Sequence, residues 1–247
     1  MKLIKVKDYD EMSREAAKII AAQVLLQPRC TLGFATGSTP EGIYALLAEW
    51  HSKGRGLDFS QVTAFNLDEY EGLKPEDDQS YAYFMRDKLF RHINISPERT
   101  NIPNGLAADA AAECARYETA IANAGGIDLQ LLGLGVEGHI GFCEPADGFA
   151  PKTFRVELDE STLNANARFF ENALDMPRRA FTMGVGTILR ARRILLIASG
   201  AKKAGAVKNA VCGPVTPRVA ASALQLHGDV TVIGDEDAFS LLPKELF

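Results

Sequence analysis

The chain has 247 residues, enough to bury a sizeable core in one large α/β domain or two small ones. Hydrophobic residues make up 47% of the sequence and charged residues 24%, as in ordinary globular proteins, and the formal net charge is −5. An acidic chain has no general attraction to nucleic acid or to anionic membranes, so we expect neither as a partner. An anionic ligand would have to be held by a few local positive groups.

Four cysteines stand far apart in the sequence, without a Cys-x-x-Cys pair, at positions 30, 114, 143 and 212. Such spacing suits neither a disulfide framework nor a structural zinc site, so we expect reduced thiols. The N-terminal sequence lacks the apolar region of a secretory signal, and no apolar run approaches the ~18 residues of a membrane span. The expected location is therefore the cytoplasm.

Short apolar runs alternate along the chain with longer segments of helical periodicity. They predict strands at 3–6, 31–35, 61–67, 127–133, 192–199 and 229–234. They predict helices at 9–26, 40–52, 79–92, 107–124 and 201–211. Strands that are buried on both faces and separated by helices predict an α/β fold with a doubly wound, mostly parallel open sheet and helices on both faces. Without a linker or repeat, residues 1–247 are expected to form a single domain.

The middle of the chain, roughly 145–183, is rich in Pro, Gly, Asn and Arg. This composition predicts irregular structure and a lid segment around 150–183 that covers the site. Ligands of open parallel sheets bind at the carboxyl ends of the strands. The strand ends after residues 35, 67 and 132 should therefore form one pocket if their strands are neighbours.

The first of these strand ends carries Thr36, Gly37, Ser38, Thr39 and Pro40. Pro40 suits the first position of a helix, and Thr39 suits the N-cap before it. Backbone N–H groups, hydroxyls and a helix N-terminus together form an anion site of phosphate size, so phosphate binding is the favoured interpretation. A plain structural turn is the alternative. The lysine of an NTPase phosphate loop is missing.

The second strand end carries the acidic pair Asp68 and Glu69, with Tyr70 and Gly72 closing a turn. A carboxylate at the carboxyl end of a strand can act as a general base. Because side chains alternate along a strand, the two carboxylates should point in different directions, and only one can serve. From the residues alone, a helix cap or a solvated acidic turn is the commoner interpretation.

The third strand end reads GLGVEGHIGFCEP over residues 133–145. Its first six letters fit the Gly-x-Gly-x-x-Gly of a dinucleotide-binding loop, but such a loop must open a helix, and the Gly and Pro residues that follow exclude one. A catalytic loop is favoured instead, because His139 can take and return a proton near neutral pH while Glu137 or Glu144 orients it. The spacing matches no standard metal-ligand pattern, and Cys143 is interpreted as a filler thiol.

These stretches, in this order, resemble the glucosamine-6-phosphate deaminase family. The resemblance covers most of the chain and rests on LGFATGSTP, FNLDEYEGL, SYAYFM, the GHIGFxEP loop, NARFFE at 166–171 and GPVTP with ASALQLH in 213–227. It implies the conversion of glucosamine 6-phosphate and water into fructose 6-phosphate and ammonia, by aldose–ketose isomerisation coupled to deamination. It also implies an amino-sugar phosphate as the partner and no metal or organic cofactor.

The resemblance also implies catalytic roles, position by position. Asp68 would move the C2 proton during enolisation. His139 would open the pyranose ring by carrying a proton from the anomeric hydroxyl to the ring oxygen, assisted by Glu144, with Glu137 in the same ring-opening group.

The phosphate of the substrate would lie on Thr36, Gly37, Ser38 and Thr39, the first of the strand-end loops. Arg168 and Lys203 would supply positive charge. An acidic chain that binds a dianion requires such a local cluster of cations.

Two residues depart from the family pattern. Glu137 stands where the family usually has Asp or Asn, and Cys143 stands where it usually has Asn. Glu137 reaches one methylene further, which displaces its carboxylate relative to His139, and Cys143 loses an amide. A weakened activity, or a shift to another amino-sugar phosphate, would follow.

Several alternatives stay open at this stage. Galactosamine 6-phosphate is a possible substrate. A 6-phosphogluconolactonase has a similar fold and a Gly-His loop, but typically an arginine after the acidic pair and a Leu-Phe-Pro continuation, which this chain lacks. A sensor that binds a sugar phosphate without turnover is a third reading, and a DNA-binding regulator a weaker one. The sequence does not decide between monomer and homo-oligomer.

Overall fold

The computed structural model describes residues 1–54, 56–159, 163 and 176–247. The strands in these ranges are β1 (Lys2–Val6), β2 (Thr31–Phe34), β3 (Thr63–Asn66), β4 (Asp68–Tyr70), β5 (Thr100–Asn101), β6 (Leu129–Gly133), β7 (Phe154–Glu157), β8 (Arg179–Thr182), β9 (Arg193–Ala198) and β10 (Val230–Asp235). The α-helices are α1 (Tyr9–Leu26), α2 (Glu41–Ser52), α3 (Tyr81–Lys88), α4 (Ala110–Asn123), α5 (Val185–Leu189) and α6 (Ala204–Cys212). Short 3-10 helices follow α3, precede α6 and span Ala220–Leu226.

Seven strands form one open sheet in the order β1-β10-β9-β6-β2-β3-β5. Every neighbouring pair in it is parallel. The predicted doubly wound, mostly parallel sheet is confirmed. The last strand, β10, lies between the first strand and β9.

Helices cover both faces of this sheet, as predicted. Side chains alternate along each strand, so Leu131 packs on one face and Leu132 on the other. Helices α1, α2 and α3 bury apolar side chains on the first face, and α4, α5 and α6 bury theirs on the second. Each central strand therefore separates two hydrophobic clusters, which explains its continuous apolar sequence.

The structure also contains a second, three-stranded antiparallel sheet, in the order β4-β8-β7, which the sequence does not predict. Asp68 and Glu69 stand in β4, one residue after β3, so the turn predicted at the acidic pair is wrong. Irregular structure over 145–183 is also wrong where β7 and β8 pair. These strands have three or four residues each, too short to show a reliable period.

Other differences concern the ends of elements. Helix α3 begins after Ser80, whose hydroxyl accepts from the Tyr83 N–H, and it ends before Leu89, so the predicted 79–92 is too long. Helix α2 has Pro40 at its N-cap position, without a side-chain cap, so the prediction of Thr39 as N-cap is wrong. The short β5 and α5 were not predicted.

The lid predicted around 150–183 stays a prediction, because residues 160–162 and 164–175 lie outside the described ranges. Arg168 falls in that gap. The four cysteines are all free thiols. Within the described residues, no helix combines the length and the apolar character needed to cross a membrane.

Candidate active site

Four neighbouring strands, in the order β9-β6-β2-β3, bring their carboxyl ends to one edge of the parallel sheet. The loop after β2 holds residues 36–39, and β3 leads directly to Asp68. The loop after β6 holds residues 134–144, and the turn after β9 leads to Lys203. The strands that end near 35, 67 and 132 are neighbours, so the condition for a shared site is met and their loops share one edge.

The loop at 36–39 is held from outside by Tyr9. The Tyr9 hydroxyl donates to the Ser38 carbonyl oxygen at 3.1 Å and accepts from the Gly42 N–H at 2.9 Å. Helix α2 begins directly after this loop and has no side-chain cap from its N-cap residue. Its first turn therefore presents the positive end of the helix dipole to the loop. The arrangement suits an anion.

The acidic pair divides into two environments. Both oxygens of Glu69 accept backbone N–H groups: Oε1 from Tyr70 at 2.8 Å and Tyr81 at 2.9 Å, and Oε2 from Ala82 at 2.8 Å. Glu69 therefore caps α3 from a distance, which the helix-cap interpretation anticipated, although burial raises its pKa.

Asp68 is the carboxylate of the pair that is the candidate for proton transfer. It is only 5% exposed, and burial, followed by the charge of Glu69, raises the pKa of Asp68 to about 8. A carboxyl group that loses its proton near neutral pH and lies at a strand end is suited to act as a general base.

The loop after β6 turns tightly around His139. The Gly135 N–H donates to the His139 carbonyl oxygen at 2.9 Å, and a Cβ at Gly135 would lie 2.1 Å from Nε2 of the imidazole. Only glycine allows the ring to pack there. Residues 134–153, all of them described, contain no helix, which agrees with the rejection of a dinucleotide loop.

Glu144 is the carboxylate beside the imidazole. Its Oε2 lies 3.3 Å from Nδ1 of His139, and its side chain is 7% exposed. At this distance the carboxylate fixes the orientation of the ring. Glu137, in contrast, is exposed to solvent.

Cys143 is buried behind the loop, where its thiol donates to the Met183 carbonyl oxygen at 3.3 Å. Burial, with the charges of Asp68 and Glu144, raises the pKa of the Cys143 thiol to about 12. A thiol that stays protonated is a poor nucleophile, which supports its interpretation as a filler.

Lys203 lies four residues beyond Ser199, where the turn after β9 is fixed by Asp235 of β10. The Asp235 carboxylate accepts from the Gly200 N–H at 2.9 and 3.0 Å and from the Ser199 hydroxyl. The structure thus places Lys203 at the same edge of the sheet as the loop at 36–39. Arg168 lies outside the described residues.

Sequence reasoning missed two residues of this edge, Tyr81 and Thr182. The Tyr81 hydroxyl bonds to the side chain of Thr36 and lies 3.3 Å from the Tyr70 hydroxyl. The Tyr81 ring stacks on the ring of Phe142, with the two ring centroids 6.0 Å apart. Tyr81 thus connects all three loops. The motif SYAYFM could have indicated it, whereas nothing in the sequence around Thr182 marks that residue.

In the described part of the chain, no group of three or more His, Cys, Asp or Glu side chains is arranged to hold a metal ion. The groups at this edge suit proton transfer, and the loop at 36–39 suits an anion. That arrangement is typical of enzymes that act on small phosphorylated molecules.

The family profile described as "Glucosamine-6-phosphate isomerases/6-phosphogluconolactonase" matches residues 7–232. The chain belongs to this family. A protein of Lachnoclostridium phytofermentans named glucosamine-6-phosphate deaminase is 55% identical over 233 residues, which are 94% of this chain and 98% of that protein. One of Clostridioides difficile with the same name is 53% identical over 246 residues, covering 99% of this chain and 98% of its own.

Solved structures agree with this placement. One described as a monomeric glucosamine-6-phosphate deaminase superposes with a TM-score of 0.95 at 46% identity, covering 98% of this chain and all of the other. The 6-phosphogluconolactonase of Trypanosoma cruzi has a TM-score of 0.78 at 20% identity, covering 98% and 96% of the two chains. The second likeness shows the shared fold alone.

Proposed function

We propose that this protein converts glucosamine 6-phosphate and water into fructose 6-phosphate and ammonia. The observation that carries the proposal is the placement of a buried carboxyl, Asp68, after β3 and of the His139–Glu144 pair after β6, on the two sides of the loop that follows β2. The full-length relatives of about half identity, all named for this activity, support it.

The reaction needs the open-chain sugar first. In the proposed mechanism, the imidazole of His139 takes the proton of the anomeric hydroxyl and returns it to the ring oxygen, and the ring C1–O bond breaks. The Glu144 carboxylate stabilises the imidazolium that forms in between. Glu137 joins this group as the resemblance implies, from its exposed position.

Enolisation follows at C1 and C2. Asp68 removes the C2 proton while the C1 oxygen takes a proton that the ammonium group loses, which gives the enolamine. Return of the proton to C1 then leaves an iminium group at C2. Water adds to that carbon, the C–N bond breaks, and ammonia leaves as the ketone forms. The loop at 36–39 holds the phosphate meanwhile, with Lys203 and Arg168 as proposed sources of positive charge.

Further parts of the proposal concern the setting of the reaction. Residues 1–247 form a single domain, supported by two core clusters that share the strands of one sheet. The location is the cytoplasm, which four free cysteines suit, because a reducing compartment keeps thiols reduced.

Incubation of the purified protein with glucosamine 6-phosphate tests the function directly. We expect ammonia and fructose 6-phosphate to appear in equal amounts, because each turnover releases one of each. Galactosamine 6-phosphate and 6-phosphogluconolactone serve as comparison substrates. Consumption of either one in preference to glucosamine 6-phosphate would refute the assignment of the substrate, and binding without turnover would identify a sensor.

The two carboxylates near His139 should differ in their effect on the rate. Glu144→Gln should lower kcat roughly 10- to 100-fold, since it removes the buried negative charge that lies 3.3 Å from Nδ1 of the imidazole when the imidazolium forms. Glu137→Gln should cost at most about fivefold, as expected for a solvent-exposed charge. Steady-state kinetics of both variants at one pH decide the order. A larger loss for Glu137→Gln would make Glu137 the main partner of the imidazole.

A further inference from the structure

Thr182 lies at the end of β8, directly opposite Asp68 in the antiparallel sheet. It is fully buried. Its hydroxyl accepts from the Phe142 N–H at 3.1 Å and lies 3.4 Å from the Met183 carbonyl oxygen, to which it donates. One side chain thus joins β8 to the loop that carries His139.

The backbone of Met183 continues this connection. Its N–H donates to the Leu67 carbonyl oxygen at 2.8 Å, one residue before Asp68. Its carbonyl oxygen accepts from the Cys143 thiol at 3.3 Å, one residue before Glu144. The end of β8 is therefore bonded on one side to the strand of the base and on the other to the loop of the ring-opening pair.

Gly141 shows how closely the loop approaches this connection. Its φ is +55°, and a Cβ there would lie 2.8 Å from Oγ1 of Thr182 and 3.5 Å from Oδ2 of Asp68. The first distance is too short for a real side chain. The loop backbone thus packs directly against Thr182, with the Asp68 carboxylate in van der Waals reach.

We propose that Thr182 and the Met183 backbone form a strut that fixes the separation between Asp68 and the His139–Glu144 pair, with Thr182 as a positioning residue. The inference rests on the proposed function. His139 and Asp68 act in turn on one bound sugar, so a changed separation misplaces one group even when the other is well placed. An error of about 1 Å can cost roughly 10²-fold in rate.

The strut predicts a loss of kcat rather than of binding, because the Tyr9 hydroxyl holds the loop at 36–39 through bonds to Ser38 and Gly42 that do not involve Thr182. Thr182→Val keeps the shape but leaves the Phe142 N–H without its acceptor, so kcat should fall roughly 30- to 100-fold while KM stays within about twofold. Thr182→Ser keeps the hydroxyl and should stay within about threefold of the wild-type kcat. Thr231→Val, in buried β10, is the matched control and should keep the wild-type rate.

A wild-type rate in Thr182→Val, a rise in KM that accounts for its loss, or a failure of Thr182→Ser to restore kcat would overturn the strut. Amide hydrogen exchange of Phe142 gives a readout without activity: it should become faster in Thr182→Val, and unchanged protection would count against the proposal. If Thr182→Val does not fold, Cys143→Ala tests the strut instead. It removes the hydrogen bond from residue 143 to the Met183 carbonyl oxygen and should lower kcat, whereas Cys143→Ser keeps a donor for that bond and should keep the wild-type kcat. A wild-type protein that makes no ammonia would refute the proposed function instead, and the exchange measurement would still decide on the strut.

Discussion

Replacement of Asp68 by asparagine should lower kcat by roughly 10³-fold, within the range of a positioned general base. An amide cannot take the C2 proton, while its size and burial match those of the carboxyl. The KM should change little, since the proposed phosphate contacts come from residues 36–39 after β2 and not from the Asp68 carboxyl. Stopped assays of ammonia release over long times would measure the residual rate.

Asp128→Asn is the matched control for this change. Asp128 is also 5% exposed, but it precedes β6 at the opposite edge of the sheet, where Oδ2 accepts from the Thr31 N–H at 2.7 Å. That variant should lose stability and keep kcat within a few-fold. If Asp68→Asn kept a tenth or more of the wild-type kcat, another group would have to be the base.

The raised pKa of Asp68 adds a pH dependence to this prediction. The value is about 8 in the folded protein against 3.8 for the free group, so kcat/KM should rise as pH increases through about 8 and the carboxylate forms. Between these values the folded state holds a proton that the unfolded state has lost, so this group makes stability fall as pH rises. The free energy of unfolding of Asp68→Asn, measured with urea, should therefore exceed that of the wild type by more at pH 9 than at pH 5. The pH profile of kcat/KM of this variant should lack the rise near pH 8.

Replacement of His139 by glutamine should lower kcat roughly 10²- to 10³-fold, since it removes the group that opens the ring. The residual rate would then depend on open-chain sugar formed in solution, and both anomers of the substrate should disappear at the same rate. The wild-type protein should consume one anomer first, because the imidazole has one fixed position beside Glu144. NMR of the anomeric protons distinguishes the two cases.

His51→Gln is the control for this second variant. His51 lies at the end of α2, where Nδ1 is 2.8 Å from the Leu57 carbonyl oxygen, far from the carboxyl edge. It should leave both kcat and the anomer preference unchanged. An anomer preference that survived in His139→Gln would show that another residue opens the ring.

The sequence predicts the parallel sheet well because burial on both faces leaves a direct pattern. Strands such as β6 and β9 read as continuous apolar runs, and α1 is predicted with the observed bounds. The antiparallel sheet is different. Its strands are three or four residues long, and their pairing joins β4 to segments more than 80 residues later, so no local pattern announces it.

The same contrast holds for the site. Asp68 comes two residues after the end of β3, and His139 stands in the loop after β6, where local reasoning places ligands. The different directions of Asp68 and Glu69 follow from alternation. Thr182 and Tyr81 act through contacts with residues distant in the chain, and such contacts are set by tertiary packing alone. The choice between Glu137 and Glu144 also depends on packing, because the same Gly-rich loop carries both.

The place of β10 between β1 and β9 has a consequence for the growing chain on the ribosome. Strand β1 has its partner in residues 230–235, so it waits unpaired, and the edge of β9 stays open, until β10 has emerged. Open edges of this kind invite wrong pairing. Since Asp235 also fixes the turn before Lys203, this part of the candidate site is completed only after β10 has been synthesised.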